Sequence, residues 1–350
     1  MIDTRRLQEI LQNFSKTKVA VLGDFFLDLY IQLDRSLSEF SIETHKEAFQ
    51  AIDFRGQPGA AGVVNNNLSS LNAQHAVIGY IGSDGNGYTL RRALEARGAD
   101  TSYLIETNER FTPTYTKPMM KELDGSNVEL NRIDIINRSP NPESLNTMLG
   151  RHLEDALRTH DGVLVVEQVK QDGFGTMSPF LRNLLSELAR KNPNKVVMVD
   201  SRHFAAAYRN VSLKMNIHEA EVAVDELTGQ ALDDNLFSKS EHYSQVLWDI
   251  QKRPVFLTLG EHGIGNMGQD EYNHLPGYQI NGPIDIVGAG DSVLAGIGLS
   301  MCAGATSKEA AYIGNLVGSV TVQQLGTTGI VTQDELLRRH HEYQQQIKGN

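Results

Sequence analysis

The stretch GPIDIVGAGDSVLAG (residues 282–296) decides how the whole chain is read. An apolar step broken only by Asp285 runs into Gly288-Ala289-Gly290, then a second acid, Asp291, then a run of small residues. Glycine lets a backbone approach a ligand closely and take dihedrals that other residues resist. The pattern predicts a helix opening here, which would leave the N–H groups of Ala289, Gly290 and Asp291 free to hold an anion, with the helix dipole behind them. Such donors are worth roughly 3–4 kcal/mol when aimed at charge that develops in a transition state. An acid inside an anion site is unfavourable unless it has a chemical task. The task that fits is to accept the proton of a hydroxyl attacking a phosphoryl group. The alternative is a capping aspartate, which helix starts commonly carry.

Outward from this loop, apolar strands alternate with amphipathic helices. Strands are expected at KVAVLGD (18–24), HAVIGYIG (75–82), DGVLVVEQ (161–168), KVVMVDS (195–201), SLKMN (212–216) and PVFLTLGEHG (254–263). Helical spacing marks 3–14, 60–72, 88–98, 178–192, 217–227, 289–304, 307–325 and 332–346. That rhythm predicts an α/β fold, a mostly parallel sheet flanked by helices on both faces. Residues 30–58 and 111–136 break it with strand-like alternation and a turn at Asp124-Gly125. They read as one small β subdomain, a lid, inserted into a core of residues 1–29, 59–110 and 137–350.

In such sheets ligands bind beyond the carboxyl ends of the strands. NIHE (216–219) ends one strand and opens a helix, placing Asn216 and Glu219 one turn apart. A neutral amide with a carboxylate suits Mg²⁺ held through its waters, while the same pair also makes a capping box. TLGEHG (258–263) is either a nucleotide-edge loop or a hairpin. His340-His341 and the His218/Glu219 pair lack the partners of a zinc site, so they are expected as solvated helix positions. The 32 basic and 43 acidic side chains give a net charge of −11, which argues against nucleic-acid or anionic-membrane surfaces. One cysteine excludes an internal disulfide, and the charged N-terminal segment has no apolar targeting core; a cytoplasmic location is expected.

Taken in order, the motifs resemble those of the ribokinase-like (PfkB) carbohydrate kinases. GDFFLD (23–28), PGAAGVVNNNLSSLNA (58–73), the 78–104 segment, TPTYTK (112–117), NIHE, TLGEHG, DIVGAGDS (285–292) and YIGNLVGSVTVQQLGTTGIVT (312–332) follow the family sequence. The resemblance implies ATP as donor, Mg²⁺ as cofactor and a sugar hydroxyl as acceptor. It makes Asp291 the catalytic base and Gly288, Ala289 and Gly290 the anion hole. Asn216 and Glu219 would serve the Mg-phosphate network, and Thr258, Gly260, Glu261, Gly263 and Asn315 would line the nucleotide. Asp28, Gly59 and Asn65 would face the sugar, and Asp285 would lie where many members hold a monovalent cation such as K⁺.

GDFFLDLY, SIE (41–43), TYTK, NRID (131–134) and VDSRHFAAAYRN (199–210) are similar to segments of the D-glycero-D-manno-heptose 7-phosphate kinase branch. On that likeness Lys117, Arg132 and Arg202 would meet a substrate phosphate. Ala60 and Val63 depart from the pattern, where relatives carry a glycine and an asparagine. A nucleoside kinase and an idle ligand-binding protein on a kinase fold are the alternative readings. A homodimer formed through the lid is expected from its exposed β edges.

Overall fold

The computed structural model describes residues 2–349 except 231, 233 and 270. In chain order its strands are β1 (Lys18–Gly23), β2 (Phe25–Phe40), β3 (Glu47–Ala60), β4 (Gln74–Gly82), β5 (Leu104–Thr107), β6 (Thr114–Lys121), β7 (Asn127–Glu129) and β8 (Ile133–Ile135). They continue as β9 (Gly162–Glu167), β10 (Val196–Ser201), β11 (Ser212–Asn216), β12 (Val255–Thr258), β13 (Ile264–Gly268) and β14 (Glu271–Leu275). The helices are α1 (Thr4–Phe14), α2 (Ala61–Ser70), α3 (Gly85–Glu95), α4 (Glu143–Thr159), α5 (Pro179–Lys191), α6 (Ile217–Thr228), α7 (Leu236–Gln251), α8 (Ala289–Cys302), α9 (Ser307–Thr321) and α10 (Gln333–Gly349).

Nine strands form the main sheet in the order β14-β13-β12-β11-β10-β9-β1-β4-β5. The seven from β12 to β5 run parallel; β13 and β14 fold back antiparallel at one edge. Alternation along β1 shows why both faces must be covered. Val19 and Val21 enter a core with α1, α2, α8 and α9, while Ala20 and Leu22 enter the opposite core with α4, α5 and α6.

The second sheet, ordered β3-β2-β6-β7 with β8 also on β6, is the lid. Its hairpin pairing runs from Phe25↔Ala60 outward to Phe40↔Glu47, with register shifts between Gln32 and Leu33 and between Asp34 and Glu39. The sheet therefore takes in Phe25–Leu29 and Gly59–Ala60, which boundaries at 30 and 58 leave in the core. The chain passes from β1 into the lid at Asp24, a buried residue. Its carboxylate accepts the N–H groups of Gln168 (2.8 Å), Val169 (3.1 Å) and Thr176 (2.7 Å) and so ties β1 to the 168–176 loop. Burial pushes that carboxyl above its ordinary range.

His340 corrects the expectation of a solvated position. It is fully enclosed, bonded to Tyr312 Oη at 2.7 Å and Thr4 Oγ1 at 3.1 Å, and helps hold α10 against α9 and α1. Among the described residues no helix is long and apolar enough to cross a membrane.

Candidate active site

Strands β10, β11 and β12 end side by side, with Asn216 opposite Thr258 in the register. Helix α8 lies against β10 and β11, with Gly290 of its first turn next to Lys214 of β11. Gly288 caps it at φ 75°, a left-handed value that disfavours a side chain. A Cβ at that position would also lie 3.1 Å from Thr328 Cγ2 and 3.3 Å from Val63 Cγ1. This tight turn closes the Ala289 N–H onto the Ile286 carbonyl at 3.1 Å, so that donor is not free as expected. Among the described residues the N–H groups of Gly290 and Asp291 have no backbone acceptor, leaving two donors at the loop.

Asp291 sits on the first turn of α8, and its Oδ1 accepts from Gln168 Nε2 at 3.1 Å. Burial and the neighbouring charge of Asp200 push its carboxyl up to about 7, against the pull of Lys214, Arg202 and the Gln168 bond. Below it lies a buried ion pair that the motif reading did not include. Lys214 Nζ donates to Asp200 Oδ2 at 2.6 Å, with both side chains nearly enclosed. Burial works against the Lys214 charge, yet Asp200, with Asp291 and Glu219 behind it, holds the amine above its ordinary value.

Asn216 and Glu219 form the capping box of α6. Asn216 Oδ1 accepts the N–H groups of His218 and Glu219 at 2.9 Å each, and Glu219 Oε2 accepts the N–H of Asn216 at 2.8 Å. One Glu219 oxygen and the Asn216 amide nitrogen remain outside the cap. Burial and Asp200 push the Glu219 carboxyl upward.

The 258–263 turn is shaped by its glycines. Gly260 has φ 61°, Gly263 has φ 92° and ψ −132°, and Glu261 is exposed between them. Thr258 Oγ1 donates to the Met215 carbonyl at 3.4 Å. Asn315 faces this turn from behind, with Nδ2 on the Pro276 carbonyl at 2.5 Å. In the loop just before α8, Asp285 accepts from Val287 N–H and Gly326 N–H, each at 3.0 Å. Both of its oxygens thus clip the 285–288 and 326 loops together.

On the lid side Asp28 pairs with Lys117 at 3.0 Å, and Lys117 also reaches Tyr30 Oη at 3.2 Å. Gly59 makes room for this acid, since a Cβ there would lie 2.8 Å from Asp28 Oδ2. Arg132 is held by both oxygens of Asp134 at 2.7 and 2.8 Å and lies over Tyr115. Asn65 is fully enclosed on α2, with neither end of its amide bonded within the protein. Val63 packs against the Gly288 turn, so its position lacks the polar contact that an asparagine would offer there.

Ala60 takes φ 51° and ψ −115°, a conformation that glycine enters far more readily. Strain of this kind costs roughly 1–3 kcal/mol, against about 0.5–1 kcal/mol of extra chain entropy that a glycine would lose. Ala60→Gly is therefore expected to stabilise the fold by about 1 kcal/mol. Urea unfolding measures it; a lower midpoint in the variant contradicts the assignment of strain.

A cleft of about 230 Å³ opens between lid and core, lined by Phe26, Tyr80, Tyr115, Gln168, Lys170 and Phe174 among others. Gln168 joins it to Asp291. Arg202, exposed at the end of β10, bears electrostatically on Tyr115, Glu219 and Asp291. Burial, then Lys170 and Arg202, lowers the His203 imidazole, so these cations are near neighbours. A second cleft, of about 300 Å³, lies between α1 and α9 and touches none of these residues. Asp200, Lys214 and Gln168 escaped the motif reading, although a lysine inside the apolar strand SLKMN signals a buried partner.

A model of the pfkB family carbohydrate kinases matches residues 16–334. The bifunctional protein HldE of Citrifermentans bemidjiense is 28% identical over 337 residues, covering 95% of this chain and 65% of its own length. HldE of Caulobacter vibrioides is 29% identical, with 94% of this chain and 65% of that protein covered. The chain thus spans just under two thirds of these relatives. The ribokinase of Arabidopsis thaliana, solved with ribose and ATP, superposes with a TM-score of 0.64 at 17% identity, covering 92% of this chain and 98% of that one. A nucleoside kinase of Methanocaldococcus jannaschii gives 0.58 at 18% identity, with 93% and 98% covered.

Proposed function

The chain belongs to the pfkB family of carbohydrate kinases, phosphotransferases with an alcohol group as acceptor, and from that premise we propose that it moves the γ-phosphoryl of ATP to a hydroxyl of a phosphorylated sugar of the heptose 7-phosphate type. The observation that carries this reading is the position of Asp291. It stands beside two free backbone donors and is joined through Gln168 to the lid cleft. An acceptor hydroxyl at Asp291 would attack the γ-phosphorus. The new O–P bond forms as the bond to the β-phosphate oxygen breaks with its electron pair, and the hydroxyl proton passes to Asp291. A loose transition state needs no strong base, so a carboxylate titrating near 7 suffices.

The donor set near the phosphates suits a hydrated Mg²⁺. Among the described residues no three acids, histidines or cysteines gather to hold a metal directly. The ion would be held chiefly by the nucleotide, with Glu219 and Asn216 reaching its waters, and it would neutralise phosphate charge.

Charge supports a phosphorylated acceptor. Lys117 and Arg132 already meet carboxylates of their own, whereas Arg202 and Lys170 make no ion pair among the described residues. An uncompensated cation 4 Å from a phosphate gains about 4 kcal/mol at an effective dielectric of 20, and a paired one far less. The aromatic lining of the cleft supports a second reading, a nucleoside acceptor, because bases stack on such rings. Pairing of two copies through the lid is supported by Phe40, Ile42, Phe54 and Leu123, which are largely exposed there.

ADP release with Mg-ATP over hexoses, heptose phosphates, ketohexose phosphates and nucleosides tests the proposal. Phosphorylated sugars are expected to give kcat/KM at least tenfold above free sugars and nucleosides. A nucleoside as best acceptor overturns the substrate assignment.

A further inference from the structure

Lys214 is a charged residue in an interior strand, and its surroundings show what it is placed to do. It lies two residues before Asn216 on β11, so both point to the same face of the strand. Asp200 on the adjacent β10 fixes its amine at 2.6 Å, and the exposure of Lys214 is only 3%. The amine lies directly under the anion loop: a Cβ on Gly290 would come within 3.0 Å of Nζ. Asp291 and Glu219 also act on it electrostatically. An ammonium has three N–H donors, and Asp200 is its one hydrogen-bond partner among the described residues.

A buried ion pair is poor value as a stabilising device, since desolvation offsets most of its attraction. Its position beneath the only two free amides of the loop gives it a different use. We propose that Lys214 is a phosphate-contacting residue, a third donor of the anion hole that meets the oxygens of the transferring phosphoryl group, and that Asp200 is the positioning residue that aims it. The inference rests on the kinase reading above. Lys214 stays protonated throughout; the acceptor proton goes to Asp291, and Lys214 supplies fixed charge where the phosphoryl oxygens gather it. Gly290 is then required for a second reason, because a side chain there would displace the ammonium.

The test compares wild type, Lys214→Met and the double variant Asp200→Asn/Lys214→Met, which leaves no unpaired buried ion if the single variant fails to fold. Two readouts are taken. The first is kcat and acceptor KM with the best phosphorylated sugar. The second is the ratio of affinities for β,γ-imido-ATP and ADP, measured by calorimetry without acceptor. Loss of one donor at the transition state is expected to lower kcat by about 10²–10³-fold with acceptor KM within threefold. The affinity ratio should fall at least tenfold while ADP affinity holds within threefold. A folded variant with kcat within threefold of wild type and an unchanged ratio overturns the proposal. If the wild type phosphorylates no acceptor, the kinase reading fails by itself. The affinity ratio then still decides: a fall supports the role of Lys214, and an unchanged ratio overturns it.

Discussion

Asp291→Asn is expected to lower kcat by about 10²–10⁴-fold while leaving nucleotide affinity within a few-fold. The side chain keeps its shape and its contact with Gln168, so what is lost is the ability to take a proton. The same group predicts two pH dependences. As a base it works ionised, so kcat/KM of the wild type should fall as pH drops through about 7. Stability moves the other way. The carboxyl is raised from 3.8 to about 7 by folding, which means the folded state holds its proton more tightly than the unfolded chain. Its contribution to stability is complete below pH 4 and is lost as pH rises through 7. Asp291→Asn should therefore unfold at a higher temperature than wild type at pH 8, and the difference should vanish near pH 4. Such a trade of stability for activity is what a functional acid in a buried setting entails. A merely capping aspartate would leave kcat unchanged and give the variant no gain in stability at pH 8, because asparagine caps about as well.

Gly263→Ala carries the second large effect. A Cβ at this position would fall 2.1 Å from the Leu275 carbonyl oxygen and 2.5 Å from the Gly277 nitrogen, both backbone atoms. Neither can yield as a flexible side chain would, and the dihedrals of φ 92° and ψ −132° resist an L-residue as well. The 259–263 turn must move, and with it the end of β12 next to Asn216. The unfolding free energy should drop by about 3 kcal/mol or more, and ATP-analogue affinity by at least tenfold. Denaturant unfolding and calorimetry measure the two. Unchanged affinity in a destabilised variant would remove the turn from the nucleotide site.

Much of this architecture is legible in the sequence because the parallel strands are buried on both faces. Between Lys18 and Gly23 and between Gly162 and Glu167 every residue is apolar and buried, so period and length suffice to place these strands. The 288–291 loop stands out only with the other motifs in order, since two glycines and an acid at a helix mouth also describe an ordinary capped helix start. Other features depend on contacts between distant segments. Helix α4 is absent from the strand and helix pattern above although Leu145, Leu149, Leu153 and Leu157 recur at helical spacing, whereas α7 lies in a polar stretch and its burial depends on the edge strands against which it packs. The lid hairpin begins at Phe25 because its register extends to Ala60, a pairing visible only once both strands are placed. His340 looks solvated on a polar helix, yet α1 and α9 enclose it. The Lys214–Asp200 pair spans two strands, and only the sheet register brings it under Gly290.

The most direct test of phosphoryl transfer to a phosphorylated sugar is a ³¹P spectrum of the protein with Mg-ATP and D-glycero-D-manno-heptose 7-phosphate. A new phosphate-ester resonance growing in step with ADP, and absent with Asp291→Asn, is the predicted result. Unchanged ATP, or ADP accompanied by free phosphate with no new ester, would contradict it.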